Sequence, residues 1–252
     1  MYSHLGKKEK WQNTKKMTKW IVEGNFDIMC FQEFYYEPNN PVFNTIKNLK
    51  AKNSYYHYFY KTLTNNVNGQ FGMAIFSKYK IIKAGKVKYD DKINNQILYA
   101  DIKYKGDTLR IYNVHLLSNN IEDKEVPESE LNQKNNKKIK NLVLGLKNSF
   151  ALRAKQVRAF VKHLEKCPYQ VMICGDFNDL PTSYTYRKIL KNHKNTFEEK
   201  GSGFGITYNG KIPFLRIDNI FVSENISVKS FKTHQNVKYS DHFPISSQLK
   251  VE

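Results

Sequence analysis

Arginine is scarce in this chain. Of 41 Lys+Arg residues only Arg110, Arg153, Arg158, Arg187 and Arg216 are arginine, leaving 36 lysines against 23 Asp+Glu and a formal net charge of +18. A basic balance of that size favours polyanionic partners such as nucleic acid or an anionic lipid surface. A Lys- and Asn-heavy, Arg-poor composition is also what an A- and T-rich coding bias produces, so charge alone assigns no ligand. Cysteine is equally sparse. Cys30, Cys167 and Cys174 make an odd count without metal-type spacing, and Cys30 and Cys174 sit in apolar runs where a thiol behaves as a small hydrophobe. That excludes a disulfide framework. No run approaches 18 consecutive apolar residues, so no membrane-spanning helix is expected, and MYSHLGKKEKWQNTKK lacks the apolar core of a signal peptide. No solenoid-period repeat and no Pro-, Gly- or Ser-rich linker interrupts the chain. What is there is 252 residues, 40% hydrophobic and 14% aromatic, enough for a sizeable core and too apolar for a disordered chain.

Hydrophobic periodicity orders the elements. Trp11, Met17, Trp20 and Ile21 among lysines predict an amphipathic helix from Lys8 to Glu23, stopped at Gly24. FDIMCFQEF (Phe26 to Phe34) is an apolar run that turns polar at its end, the signature of a buried strand delivering side chains from its C-terminal end. Pro38 and Pro41 bound a loop, and a second helix is expected from Val42 to Lys52. From Tyr55 the aromatic and β-branched runs YYHYFYKTL, FGMAIFSKY, KIIKAGKVKY, QILYADIKY and TLRIYNVHLL predict an antiparallel meander, with NNVNGQ as a hairpin connection. Asn119 to Asn136 reads as a mobile hydrophilic loop carried by the domain. A long helix follows from Lys137 to Lys166, with Leu152, Val157, Phe160, Val161 and Leu164 on one face. CPYQVMICGDFND is a second strand with a polar end. A helix near Ser183 to Asn192, a Gly-rich loop from Gly201 to Gly210, and strands in RIDNIFVS, ISVKSFKTH and PISSQLKV complete the chain. The expectation is one mixed α and β domain over residues 1–252.

Four strand ends terminate in carboxylates, amides or imidazoles: Gln32-Glu33, Asn113-Val114-His115, Asp176-Phe177-Asn178 and Ser240-Asp241-His242, joined by Asp218 in RIDNIF. Singly, each has an ordinary reading as a strand exit, a satisfied sheet pair, a helix N-cap or a turn. Together they are costly unless they meet and satisfy one another. Such a cluster suits metal-assisted phosphoryl chemistry. Hard carboxylate oxygens hold Mg²⁺, an aspartate orients or deprotonates water, and imidazoles and amides stabilise charge growing on phosphoryl oxygens.

FQE, GMAIFSKY, NVHL, RAKQ, GDFND, RIDNIFVS and SDHFP stand in the order and approximate spacing of the endonuclease/exonuclease/phosphatase superfamily, which the chain resembles from about Trp11 to its C-terminus. The resemblance implies a DNase I-like α+β fold, a four-layer α/β/β/α sandwich of two packed mixed or antiparallel sheets flanked by helices. It implies Glu33 as metal-ligating glutamate, beside Gln32, and Asp241 as the second metal-side acid. It makes His115 a contact to the scissile phosphate, Asp176 the residue that activates water, Asn178 a phosphate-holding amide, and His242 a transition-state contact oriented by Asp218. Asn113, Arg153 and Gln156 are carried over as substrate-binding positions, although a helix salt bridge or cap serves Arg153 and Gln156 equally well. Ser77 reads as structural.

One feature departs from the family pattern. Members begin with a central strand ending in a metal-site Asn, and none precedes the first predicted helix here; Asn13 lies inside it. The inner sheet is therefore expected to carry an unpaired gap or an exposed edge, and an N-terminal extension of about ten residues, one strand and its turn, to raise stability and hydrolysis. The function expected is a Mg²⁺- or Mn²⁺-dependent phosphodiester hydrolase acting on DNA or RNA by in-line water attack. A phospholipid, phosphoinositide or sphingomyelin substrate is the alternative within that class, and a non-catalytic polyanion-binding module the alternative outside it. No obligate protein partner is expected, a monomer is expected, and the cytoplasm is the default address for the chain as given, with export or a membrane anchor expected instead if an upstream segment is missing.

Overall fold

The computed structural model describes residues 7–51, 54–63, 69–89, 95–118, 133–210 and 212–251. Helix α1 (Lys7–Gly24) leads into strand β1 (Ile28–Tyr36), helix α2 (Thr45–Lys50), and strands β2 (Tyr56–Leu63), β3 (Gln70–Ser77), β4 (Ile81–Lys86), β5 (Ile97–Tyr104) and β6 (Asp107–His115). Helix α3 (Gln133–Glu165) is followed by β7 (Gln170–Asp176), α4 (Tyr184–Leu190), β8 (His193–Asn195) and α5 (Thr196–Lys200). Strands β9 (Asp218–Ser223), β10 (Ile226–Thr233) and β11 (Ile245–Val251) close the order. One layer is a six-stranded sheet, β4-β5-β6-β7-β9-β8, in which only the β6–β7 pair is parallel. The facing layer is β1-β3-β2 together with the β10-β11 pair.

Strand alternation explains the stacking. Tyr112 and Val114 of β6, Val171 and Ile173 of β7 and Phe221 of β9 turn to one side, where Val157, Phe160 and Leu164 of α3 and Tyr186 of α4 cover them. Their neighbours Leu109, Ile111, Met172, Ile220 and Val222 face the other way and pack on Met73 and Ile75 of β3. A third cluster, Ile21, Met29, Phe34, Leu49 and Phe76, seats α1 and α2 on the outer face of β1 and β3. The result is the helix–sheet–sheet–helix order expected. Across β5 and β6 one polar pair is buried, Arg110 Nε and Nη2 donating to the two Asp101 carboxylate oxygens at 2.6 and 2.8 Å. Cys30 and Cys174 are unbridged, and the Cys174 sulfur and burial hold the Cys30 thiol well above its ordinary range.

Several boundaries moved. The second helix is a six-residue α2, begun by an Asn44 side chain that accepts from Lys47 N, rather than one reaching from Val42 to Lys52. The meander divides, because β2 and β3 pair with β1 in one sheet while β4, β5 and β6 run on in the other. Residues 133–136 belong to α3, and the rest of the 119–136 segment lies outside the described residues. β8 and α5 were unexpected. Three residues carry no readable period, and β8 exists because it pairs with β9 and its Asn195 caps α5 through Phe197 N. Among the described residues no strand precedes α1, and no helix is long and apolar enough to cross a membrane. Residues of β1 and β11 line one cleft of about 610 Å³.

Burial sets one acid-sensitive contribution to stability. His193 of β8 is partly buried, its Nδ1 donating to Ile189 O at 3.0 Å, and burial holds its pKa below the usual value. A histidine lowered in the folded state lends stability above the unfolded pKa of about 6.5 that is lost as pH falls towards the folded value. The Tm of His193→Gln, which keeps an amide donor, should therefore gain on wild type as the buffer is taken from about pH 7 to about pH 5. A Tm difference that stays constant over that range would remove this assignment.

Candidate active site

Register builds the centre of the site. His115 and Asp176 are partners at the C-terminal ends of parallel β6 and β7, and Asp176 is in turn the partner of Asp218 at the start of antiparallel β9. Three consecutive strands thus present His115, Asp176 and Asp218 in a row, on the face they share with Leu109, Met172 and Ile220. His115 Nε2 lies 3.8 Å from Asp176 Oδ2. The close approach of these strand ends depends on Gly175. Its φ is +148°, and a Cβ there would stand 2.0 Å from the carbonyl oxygen of Val114.

Asp176 is buried and gripped by Asn178. The Asn178 backbone N donates to one carboxylate oxygen at 2.8 Å, and its Nδ2 donates to the other and to Leu116 O, each at 2.9 Å. Asn178 reaches this position with φ +49°, a conformation asparagine tolerates better than most residues. His242 approaches from the loop before β11, its Nδ1 on Asp218 Oδ2 at 2.8 Å and its ring edge-on to Tyr208, centroids 5.4 Å apart. Thr207 holds this pair together. Its hydroxyl accepts from Ile217 N and Asp218 N, both at 3.0 Å, while its carbonyl accepts from Phe243 N at 2.7 Å. Asp176, Asp218 and His242 offer oxygen or nitrogen atoms within 4.8 Å of one another.

Glu33 reaches the site through a β-bulge. Phe31 pairs with Ala74 and Phe34 with Gly72, so Gln32 and Glu33 together oppose Met73, and Glu33 takes φ +50°. Beneath the bulge, fully buried Asn113 accepts from Gln32 Nε2 at 2.6 Å and donates to Phe31 O and Ala74 O at 2.9 and 3.0 Å. One amide therefore ties the two sheets and shapes the turn that presents Glu33. Glu33 feels the charges of both His115 and Asp241, and the exposed Asp241 accepts from Ser240 Oγ at 3.0 Å. The cleft beside β1 and β11 opens onto Gln32, Asp218 and His242.

Three expected substrate contacts lie behind this surface instead of in it. Asn113, Arg153 and Gln156 are at most 1% exposed. On α3, Arg153 Nη1 donates to Leu117 O while Gln156 Oε1 accepts from Leu117 N at 3.0 Å, and Arg153 also pairs with Asp179 at 3.2 Å. Their side chains fix the backbone just after His115. Ser77, expected to be structural, is buried, its Oγ accepting from Tyr79 N at 2.9 Å. Thr207 went unnoticed because a threonine in a Gly-rich loop has no local signal; Gly175 was readable as a glycine interrupting an apolar strand.

The electrostatics separate the titrating groups. Burial, together with the charge of neighbouring Asp218, pushes the Asp176 carboxyl up to about 7. Burial pulls His242 down, but the Asp218 carboxylate, helped by Asp176 and Asp241, more than offsets it and leaves the imidazole raised to about 10. Burial lowers His115. At neutral pH the site holds one imidazolium paired with Asp218, one neutral imidazole, and a carboxyl balanced between its two forms. That is an acid/base set on which proton transfer and anion stabilisation can both run. The donors are carboxylate oxygens, with Glu33 and Asp241 the two exposed ones, and they suit a hard divalent cation such as Mg²⁺.

No curated protein matches the chain in sequence. Solved structures do match in fold. An endonuclease/exonuclease/phosphatase family protein from Leptotrichia buccalis superposes with a TM-score of 0.64 at 18% identity, over 98% of this chain and 96% of its own. Humanized TDP2 from D. rerio gives 0.68 at 14% identity, over 99% and 96%. A mannosyl-6-phosphatase from Bacteroides thetaiotaomicron gives 0.62 at 18% identity, over 95% and 91%. At such identities these likenesses establish the DNase I-like sandwich alone. A sequence model of the Endonuclease/Exonuclease/phosphatase family matches residues 7–242, from α1 to the histidine paired with Asp218, and the chain belongs to that family.

Proposed function

We propose that this chain is a divalent-metal-dependent phosphodiester hydrolase whose substrate is nucleic acid. The observation that carries the hydrolase reading is the row His115–Asp176–Asp218 completed by the 2.8 Å Asp218–His242 pair. Asp176 takes the proton from a water aligned in line with the scissile bond, its two oxygens being aimed by Asn178. The His242 imidazolium, held by Asp218, faces the charge that grows on the non-bridging phosphoryl oxygens. Neutral His115 adds a hydrogen bond from the opposite side of Asp176. Glu33 and Asp241 would hold Mg²⁺ or Mn²⁺, which when bound supplies Lewis-acid polarisation of the phosphoryl oxygens. Asn113, Arg153, Gln156 and Thr207 keep these groups in place.

Nucleic acid is favoured by the +18 net charge, which draws a polyanionic backbone without reading its sequence. The test is to incubate the protein with single-stranded DNA, RNA, phospholipid vesicles and a sugar phosphate in Mg²⁺, with EDTA and His242→Ala as controls. Cleavage of an oligonucleotide that both controls abolish is expected. Turnover of the lipid or sugar phosphate alone would replace the substrate, and no turnover of any of the four by the folded protein would end the hydrolase reading.

A further inference from the structure

Phe204 and Phe214 are the two most exposed large apolar side chains among the described residues, 78% and 67% accessible. They stand on opposite arms of one loop and lean together edge to face, ring centroids 5.9 Å apart at 62°. Two exposed rings against each other leave outer faces bare to water, a cost the fold does not recover by packing. Phe214 takes φ +63°, a left-handed conformation strained for a bulky residue, and no burial of its ring offsets that strain. The arm carrying Phe204 is held in place from beneath: Gly205, at φ +62°, sits so close that a Cβ would meet the Phe197 ring at 2.3 Å. The platform is pre-formed.

Its place relative to the chemistry is fixed by the backbone. Immediately inward of the two rings, Thr207 N and Tyr208 N donate to Leu215 O at 2.9 and 3.1 Å. Tyr208 lies against His242, and Phe214 is four residues before Asp218, so its Cα stands at most about 14 Å from that of Asp218. That span covers the nucleotides flanking a phosphate held between Asp176 and His242.

Resting on the nuclease reading, we infer that Phe204 and Phe214 form a stacking platform for an unpaired nucleobase next to the scissile phosphate, so that the substrate is single-stranded or locally unpaired nucleic acid. Every base has an aromatic face, so such a platform grips without reading sequence, while the phosphate is drawn by charge and handled by the acid/base row. A base in a duplex has both faces occupied and cannot reach the rings without leaving the stack.

The test uses Phe204→Ala, Phe214→Ala, the double variant, and Phe214→Trp as the aromatic replacement. Each is assayed on a short single-stranded oligonucleotide and on an abasic oligomer of equal length. Binding of a 2-aminopurine oligonucleotide is followed separately in EDTA, where no cleavage occurs. For each alanine variant KM on the normal oligonucleotide should rise about tenfold with kcat little changed, the abasic oligomer should show no such rise, and Phe214→Trp should restore wild-type KM. Quenching of 2-aminopurine by the wild type should be lost in the double variant. Equal KM for wild type and variants, or the same loss on the abasic oligomer, would overturn the platform. So would wild-type binding to anionic vesicles, abolished in the double variant, with no quenching of 2-aminopurine. If no oligonucleotide is cleaved, the nuclease reading fails by itself, and the quenching experiment still decides whether the two rings take a base.

Discussion

Asp176→Asn should give a folded protein whose phosphodiester hydrolysis is reduced by about a thousandfold. The substitution keeps the shape of the side chain and removes its capacity to take a proton. It also disturbs the grip of Asn178, which donates to both carboxylate oxygens, because an amide offers an acceptor on one side only. Stability should move the other way or not at all. Asp176 sits beside Asp218 on the neighbouring strand, and burial and that repulsion raise its carboxyl to about 7. A carboxyl raised in the folded state opposes folding when ionised, so above pH 7 the neutral asparagine relieves the fold of a charge it disfavours. A lower rate with an equal or higher Tm at about pH 8 is the paired result to look for, and steady-state kinetics with a thermal melt measure both. Hydrolysis within tenfold of wild type would remove Asp176 from the proton-transfer role.

Asp101→Ala should lower the Tm by about 10 °C while leaving the chemistry of the remaining folded protein intact. Asp101 and Arg110 face each other across β5 and β6, with both side chains at most 9% exposed and two charge-assisted hydrogen bonds between them. Truncating the acid leaves a guanidinium that cannot lose its proton in a buried place, which typically costs about 3–5 kcal/mol. For a domain of this size each kcal/mol moves the Tm by roughly 2–4 °C. The double substitution Asp101→Leu with Arg110→Met should recover most of the loss, since apolar side chains of similar volume fill the space without an unpaired charge. It should not recover everything, because the Arg110 guanidinium also lies over the Tyr99 ring at 4.7 Å. If Asp101→Ala melts within about 2 °C of wild type, the pair is not the buried cross-strand tie described here.

Much of this architecture was readable along the chain. The long helix was announced by Val157, Phe160 and Leu164 at helical spacing, and these three are the residues α3 buries. The strands ending in His115 and Asp176 were announced by apolar runs turning polar, while the same signal at Glu33 marked a strand end where β1 runs on through a bulge to Tyr36. β8 and α5 were not readable, since three- and five-residue elements have too few positions for a period and rest on pairing and capping from elsewhere. The division of the expected meander between two sheets was equally hidden. Hydrophobic alternation says that a strand has a buried face, not which sheet it joins.

Within the site the same line separates the residues. Their chemical types, two imidazoles and several acids and amides closing apolar runs, were decided by the sequence, and with them the class of chemistry. Which of them touch, and which only hold, was decided by tertiary structure alone. Asn113 and His115 lie two residues apart on one strand face, yet Asn113 is sealed between the sheets under the Glu33 bulge while His115 stands at the row's end. Arg153 and Gln156 share a motif with surface-like composition and are buried against Leu117. The pairings of Asp218 with Thr207 and with His242 join positions 11 and 24 residues apart. The physical reason is range: a strand or helix records its own buried face in its period, whereas a contact across sheets depends on register and layer order, which no local pattern encodes.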